Sequence, residues 1–193
     1  MRIKRENTWK LLTEYVQTES LRRHCLAVEA AMRAYANKYG EDEELWGICG
    51  LIHDFDYEKY PFYKNEHDLS IAEGHPFNGI KVLKENDYPP KIIEAILGHA
   101  DYSGVPRKSQ MAKCLYAVDE LCGFVMALAH IRPDRLNGMT VESVEKNLKK
   151  RGFAARINRE DIERGVSELG IPRAEHIDLV ISALQGISKD LGF

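Results

Sequence analysis

The chain has 193 residues, 44% hydrophobic and 30% charged, which is typical of a globular protein of one domain with a sizeable core. Its formal charge is −3 and it has no long basic run, so we expect no long nucleic acid as a partner. We find no apolar stretch of membrane-spanning length, and the basic N-terminal segment lacks the apolar core of a signal peptide. A cytoplasmic location without a membrane partner is therefore expected.

Apolar residues recur at helical spacing along nearly the whole chain, and period-two alternation is almost absent, so an all-α fold is predicted. The predicted helices, in chain order, span about 6–16, 20–40, 41–54, 76–87, 88–101, 110–131, 141–150, 159–169 and 172–191. A polar, aromatic-rich loop is predicted over 55–70. We expect residues 1–135 to form the main domain and 136–193 to form a helical extension packed on it.

All four cysteines lie in apolar-periodic segments and none belongs to a C-x-x-C pair. They are Cys25, Cys49, Cys114 and Cys122. Buried free thiols are predicted in preference to disulfides or a metal site.

Four predicted helices turn an ionisable side chain towards their apolar face. Asp119 lies between Leu115 and Cys122 on the most hydrophobic helix. The other three residues are His24, His53 and His99. A satisfied core histidine or a paired aspartate explains any one of them, but a shared cation would satisfy all four at once. Imidazoles and carboxylates are suitable ligands for zinc, iron or manganese.

A histidine–aspartate pair occurs twice, in different settings. His53-Asp54 follows an apolar run, and both side chains can reach one ion if the helix ends there. His67-Asp68 lies among polar residues and is interpreted as a solvated loop. His75 precedes Pro76 at a helix start, where it is either a ligand or only a cap. The remaining two histidines, His130 and His176, are interpreted as structural or surface residues.

The order of these residues resembles the HD superfamily of metal-dependent phosphohydrolases. The blocks "LRRHCLAVEA", "GLIHDF" and "LYAVDELCGF" match its H…HD…D signature. Two further histidines, in "EGHPFNG" and "ILGHAD", are similar to those of the binuclear branch. The resemblance covers roughly residues 20–135 and implies an HD-domain-like helical bundle with extra C-terminal helices. It carries over no particular substrate.

The resemblance implies one or two divalent transition-metal ions (Fe, Mn, Zn, Ni or Co, with Mg also suitable) and hydrolysis of a small phosphate ester, for example a nucleotide. It implies six ligands, with Asp54 bridging and catalytic: His24, His53, Asp54, His75, His99 and Asp119. Lys59, just past the metal pair, is either a catalytic group that steadies phosphate charge or a solvated lysine.

Several further residues are candidates for roles around the metals. Arg132 and Arg135 follow the Asp119 helix and are candidate substrate-phosphate ligands. Three acids are candidates for orienting the imidazoles, with surface acids as the alternative: Asp56, Glu58 and Asp101.

Two other functional classes fit the same residues. Some members of the superfamily are similar to mixed-valent di-iron oxygenases, and six ligands of this kind fit that chemistry as well. A non-catalytic helical module with a structural metal is the third interpretation. The oligomeric state is left open.

Overall fold

The computed structural model describes residues 3–61 and 73–193, so the dipeptide His67-Asp68 lies outside the described residues. Within those ranges the chain forms nine α-helices and a short 3-10 helix, Asp101–Ser103, and no strand, which confirms the predicted all-α class. The α-helices are α1 Arg5–Tyr15, α2 Glu19–Tyr39, α3 Glu43–Ile52, α4 Phe77–Glu85, α5 Pro90–His99, α6 Gln110–Ile131, α7 Val141–Leu148, α8 Arg159–Leu169 and α9 Arg173–Gly186.

Local sequence signals set the ends of the helices that carry the candidate ligands. The Asp42 carboxylate accepts the Leu45 N–H at the start of α3, and the Ser109 hydroxyl accepts the Ala112 N–H at the start of α6. Gly40 ends α2 in the left-handed conformation, with φ of 69°. The prediction for the last helix was too long, because α9 ends at Gly186, a poor helix former, and not near residue 191.

The centre of the fold is built from α2, α3 and α6. Helix α2 packs extensively against α3, and α6 packs against α2, α5 and α8. Two glycines permit these close approaches. A Cβ atom on Gly50 of α3 would lie 2.8 Å from the Val28 carbonyl oxygen of α2, and one on Gly165 of α8 would lie 2.6 Å from Ala117 Cα of α6.

Helix α6 passes through the middle of this arrangement. By length and composition it is apolar enough to cross a membrane, which corrects the prediction that no such stretch exists. Its most apolar window is 67% buried inside the protein, which is the environment of a core helix.

The C-terminal helices cover the same core. Helix α8 lies on α6, and α9 lies on α2 with further contacts to α6 and α7. The division into residues 1–135 and 136–193 stays a prediction. All four cysteines are buried free thiols, as predicted.

Candidate metal centre

Six side chains from five helices and their ends meet in one place. His24 lies in α2 and Asp119 in α6, whereas His53 directly follows α3 and Asp54 lies in the turn after it. The remaining two, His75 and His99, come just before α4 and at the last residue of α5. Because α3 ends at Ile52, the two adjacent side chains His53 and Asp54 both point inward, as expected from a helix that ends at the pair.

Four of these side chains form a first group around Asp119. The Asp119 Oδ1 atom lies 2.9 Å from His24 Nε2 and 3.4 Å from His53 Nε2. The Asp54 Oδ2 atom lies 3.5 Å from His53 Nε2 and 3.9 Å from His24 Nε2. Two ligand atoms about 2.1 Å from one ion lie about 3.0 Å apart in octahedral and about 3.4 Å apart in tetrahedral coordination. These separations therefore fit a single ion.

The other oxygen of Asp54 belongs to a second group. Asp54 Oδ1 lies 3.3 Å from His75 Nε2 and 3.3 Å from His99 Nε2, and the two ring nitrogens are 3.2 Å apart. The two groups share only Asp54, whose carboxylate stands between them with one oxygen towards each. This is the arrangement expected of a bridging carboxylate.

The second ring nitrogen of three histidines determines which atom is available to a metal. His53 Nδ1 donates to the Gly50 carbonyl at 2.7 Å, and His99 Nδ1 donates to the Ile96 carbonyl. A carbonyl only accepts, so the proton of each neutral ring lies on Nδ1 and its Nε2 lone pair faces the cavity. His75 Nδ1 donates to the Asp56 carboxylate at 2.7 Å, with the same consequence.

Two of the resulting contacts are unfavourable without a cation. His53 Nε2 is buried and has no hydrogen-bond partner. In their neutral forms, His75 and His99 direct two lone pairs at each other across 3.2 Å. A buried polar atom without a partner costs about 1–3 kcal/mol, and a cation between these side chains would remove that cost at His53 and separate the two facing lone pairs of His75 and His99. The residues present therefore fit a divalent metal.

The charges of the cluster agree with that interpretation. Burial alone would raise the pKa of Asp54 and Asp119, but the neighbouring imidazoles, His53 above all, hold the pKa of both carboxyls below its ordinary value. Burial lowers the pKa of His53, yet Asp54 and Asp119 outweigh it and raise the pKa to about 9. The cluster therefore favours the ionised form of Asp54 and Asp119 next to a positive charge.

Asp56 is the acid that orients a histidine of the cluster, His75. It is buried, and its second oxygen accepts the Gly79 N–H at 2.6 Å. A Cβ atom on Gly79 would lie 2.5 Å from Asp56 Cγ, so this approach needs a glycine.

The other two candidate acids have different partners. Glu58 accepts from the N–H groups of Gln17 and Thr18 at the start of α2. Asp101 is paired with Arg107 and Arg164.

A cavity of about 440 Å³ opens from the cluster. Its wall includes five residues not predicted as part of the site: Tyr102, Tyr116, Glu120, Ile157 and Asp161. Helical spacing could have indicated Tyr116, which lies three residues before Asp119 on the same face of α6. No local signal indicated Ile157 or Asp161, because only the packing of α8 on α6 brings them there. Tyr57, from the predicted aromatic loop, also lines the cavity.

Three predicted residues are not brought to this cavity. The Lys59 ammonium lies over the Tyr15 ring, 4.3 Å from its centroid. Arg132 is bound to Asp134 at 3.0 Å, and Arg135 donates to the His130 carbonyl at 2.6 Å. These contacts hold all three side chains away from the cavity lining formed by the described residues, and the catalytic role of Lys59 and the substrate-binding roles of Arg132 and Arg135 stay predictions.

The two histidines interpreted as structural also lie apart from the cluster. His130 is exposed and its ring packs on Phe193. His176 is buried between the Tyr35 hydroxyl, at 2.6 Å, and the Ala117 carbonyl, at 3.0 Å. Burial lowers the pKa of His176 to about 4, so the ring is neutral near pH 7.

Comparison with known proteins agrees with this geometry. The family model of the HD domain matches residues 21–123, more than half of the chain. No curated protein and no solved structure gave a significant match. All six clustered side chains lie within the matched range. The chain therefore belongs to the HD domain family, whose members are generally metal-dependent phosphohydrolases.

Proposed function

We propose that the protein is a binuclear metal-dependent phosphohydrolase acting on a small phosphate ester, with nucleotides among the candidates. One observation carries the proposal: Asp54 divides its two oxygens between two groups of ring nitrogens, each at the spacing of ligands to one ion. Family membership supports the hydrolytic class, and the substrate is our inference.

The residues divide between the two ions as follows. His24, His53, Asp119 and one oxygen of Asp54 would hold one ion, and His75, His99 and the other oxygen would hold its partner. Bound there, two divalent ions supply Lewis acidity towards phosphate oxygens and lower the pKa of a bound water.

The chain itself keeps the ligands in the right protonation state. The carbonyls of Gly50 and Ile96 and the carboxylate of Asp56 hold a proton on the outer nitrogen of each ring, so the inner nitrogen is the atom that would bind a metal. The Tyr102 hydroxyl donates to the His75 carbonyl at 3.0 Å, which fixes the backbone of a ligand. The cavity of about 440 Å³ matches a small ligand.

The test combines elemental analysis with a panel of phosphate monoesters, diesters and nucleotides. We expect about two transition-metal ions per chain and release of phosphate or a phosphate ester. His53→Ala and Asp54→Ala should lose both properties, whereas His130→Ala, which changes an exposed histidine outside the cluster, should keep them. A protein that carries its metals and hydrolyses no member of the panel would refute the proposal.

The same experiment separates the alternatives. Iron at two per chain with substrate-dependent oxygen consumption would identify a di-iron oxygenase, and a metal-loaded protein without either activity would identify a structural site. A cytoplasmic location and a small phosphorylated partner remain part of the proposal, and the four free thiols support a reducing compartment.

A further inference from the structure

The stretch from the last turn of α7 to the first residue of α8 is strongly basic, although the whole chain carries a formal charge of −3. Residues 146–159 contain six cationic side chains and no acid: Lys146, Lys149, Lys150, Arg151, Arg156 and Arg159. The net charge of the whole chain does not show this local excess of cationic side chains. The stretch lies outside residues 21–123, which match the HD domain, and nothing in the proposed metal chemistry uses it.

Part of this charge is structural. The Arg159 guanidinium donates to the carbonyls of Phe153, Ala154 and Ile157, and it lies 5.0 Å from the centroid of the Phe124 ring. Arg159 therefore shapes the loop and anchors it to α6.

Three other cations of the segment have no such task. Lys149, Arg151 and Arg156 make no side-chain hydrogen bond or ion pair with any described residue, and all three line a groove of about 900 Å³. In the same groove Arg173 is paired with Glu145 and Glu163, and Glu160 is the acid without an ion pair among the described residues. The groove thus presents a net excess of free cations.

This groove adjoins the metal-centre cavity. Ile157 lines both, and the Asn158 N–H donates to the Glu120 carboxylate on the cavity wall at 3.3 Å. Two acids of the cavity wall, Asp101 and Asp161, are both paired with Arg164. Because Arg164 partly neutralises both carboxylates, they repel an approaching anion less than two unpaired carboxylates would.

We propose that the substrate carries a second anionic group, a phosphate or a carboxylate, which binds the cations of this groove while the scissile phosphate lies at the metal centre. This rests on the proposed function and narrows its substrate class to esters with two separated anionic groups. Arginine is suited to the task because its planar guanidinium binds phosphate or carboxylate through two hydrogen bonds.

The test measures binding to the metal-loaded full chain by calorimetry. The probes are the bisphosphates of propanediol and hexanediol, each compared with its own monophosphate at constant free metal. We expect at least one bisphosphate to bind about tenfold more tightly than its monophosphate. The double variant Arg151→Ala/Arg156→Ala should reduce that advantage to less than about threefold and leave monophosphate binding unchanged.

Matched variants control for charge and folding. Lys91→Ala/Lys189→Ala removes two exposed cations elsewhere and should preserve the preference, and Arg151→Lys/Arg156→Lys should retain part of it. Equal affinity for bisphosphate and monophosphate at both lengths would overturn the inference, as would a preference that survives in Arg151→Ala/Arg156→Ala.

The two proposals fail in different ways. If the protein hydrolyses simple monoesters and shows no preference for a second anion, the proposed phosphohydrolase activity stands and the proposed anion-binding role of the groove is refuted. If bisphosphates bind in a groove-dependent way but no ester is hydrolysed, the anion site is established and the proposed hydrolase activity is refuted.

Discussion

Substituting Asp56 by asparagine changes one atom of a buried carboxylate whose two oxygens have different partners. One accepts the Gly79 N–H at 2.6 Å, and the other accepts the proton of His75 Nδ1 at 2.7 Å. In the variant, the amide oxygen has to face Gly79, because that N–H needs an acceptor. The NH₂ group then faces His75 Nδ1 and donates to it, so the ring proton moves to Nε2.

Moving the ring proton should weaken the binding of only one of the two proposed metals. Nε2 of His75 faces His99 and Asp54, and a protonated nitrogen cannot ligate. Loss of a partner that orients a ligating histidine typically costs about 10–100-fold in metal affinity, or about 1.4–2.7 kcal/mol. The group around Asp119 contains neither His75 nor His99, so its affinity should change little.

The measurement is a competitive titration of the metal-free protein with zinc or manganese against a chelating indicator. We expect two sites in the wild type, and in Asp56→Asn one site of unchanged affinity and one weakened about 10–100-fold. Long-range proton–nitrogen NMR of the metal-free protein reports the position of the His75 proton directly. Glu58→Gln is the matched control, since it makes the same chemical change two residues away at a carboxylate that binds the start of α2.

Three results would refute this reasoning. Both sites could keep wild-type affinity in Asp56→Asn, or both could weaken equally, which would mean that Asp56 does not act through His75. Glu58→Gln could also match the loss, which would show a general effect on the turn and not a change of tautomer.

Three further predictions concern stability. Removal of metal by a chelator should lower the free energy of unfolding by about 4 kcal/mol for each occupied site, relative to protein at free metal of about 1,000 times the Kd of that site, measured by urea denaturation; no change would argue against a site built in the native state. Gly165→Ala should destabilise by about 1–3 kcal/mol because its Cβ would meet Ala117, whereas Gly186→Ala, in open space, should raise stability by up to about 1 kcal/mol in the same assay.

The third prediction in this group is a pH dependence. Burial lowers the His176 pKa from 6.5 to about 4, so the unfolded state binds its proton more tightly, and the contribution is fully present above pH 6.5 and lost as pH falls towards 4. Urea unfolding of metal-free protein should show a loss of about 3 kcal/mol across that window that is absent in His176→Gln. Parallel pH profiles of the two proteins would contradict it.

Four residues of the cluster were accessible from sequence because helical periodicity shows which face of a helix a residue occupies. Asp119 could be assigned to the core from its neighbours Leu115 and Cys122 alone. The same reasoning could not decide among Asp56, Glu58 and Asp101, since all three are acids near the ligands in sequence. Of the three, only Asp56 contacts a histidine of the cluster, because the turn after α3 packs against the start of α4.

Residues outside the helices were harder to place. Lys59, Arg132 and Arg135 are close in sequence to ligand-bearing segments, but a long flexible side chain takes the partner that the fold offers it. Tyr15 and the carbonyl of His130 were such partners, and both come from the packed structure.

The amino-acid sequence by itself determined the helical class and the helix faces on which His24, His99 and Asp119 lie. The tertiary structure alone decided the distances at which the two oxygens of Asp54 face two groups of nitrogens, and that the basic segment before α8 lies beside the cavity. The physical reason is that periodicity specifies direction around one helix axis. Distances between side chains on different helices depend on how closely those helices pack, as at Gly50 and Gly165.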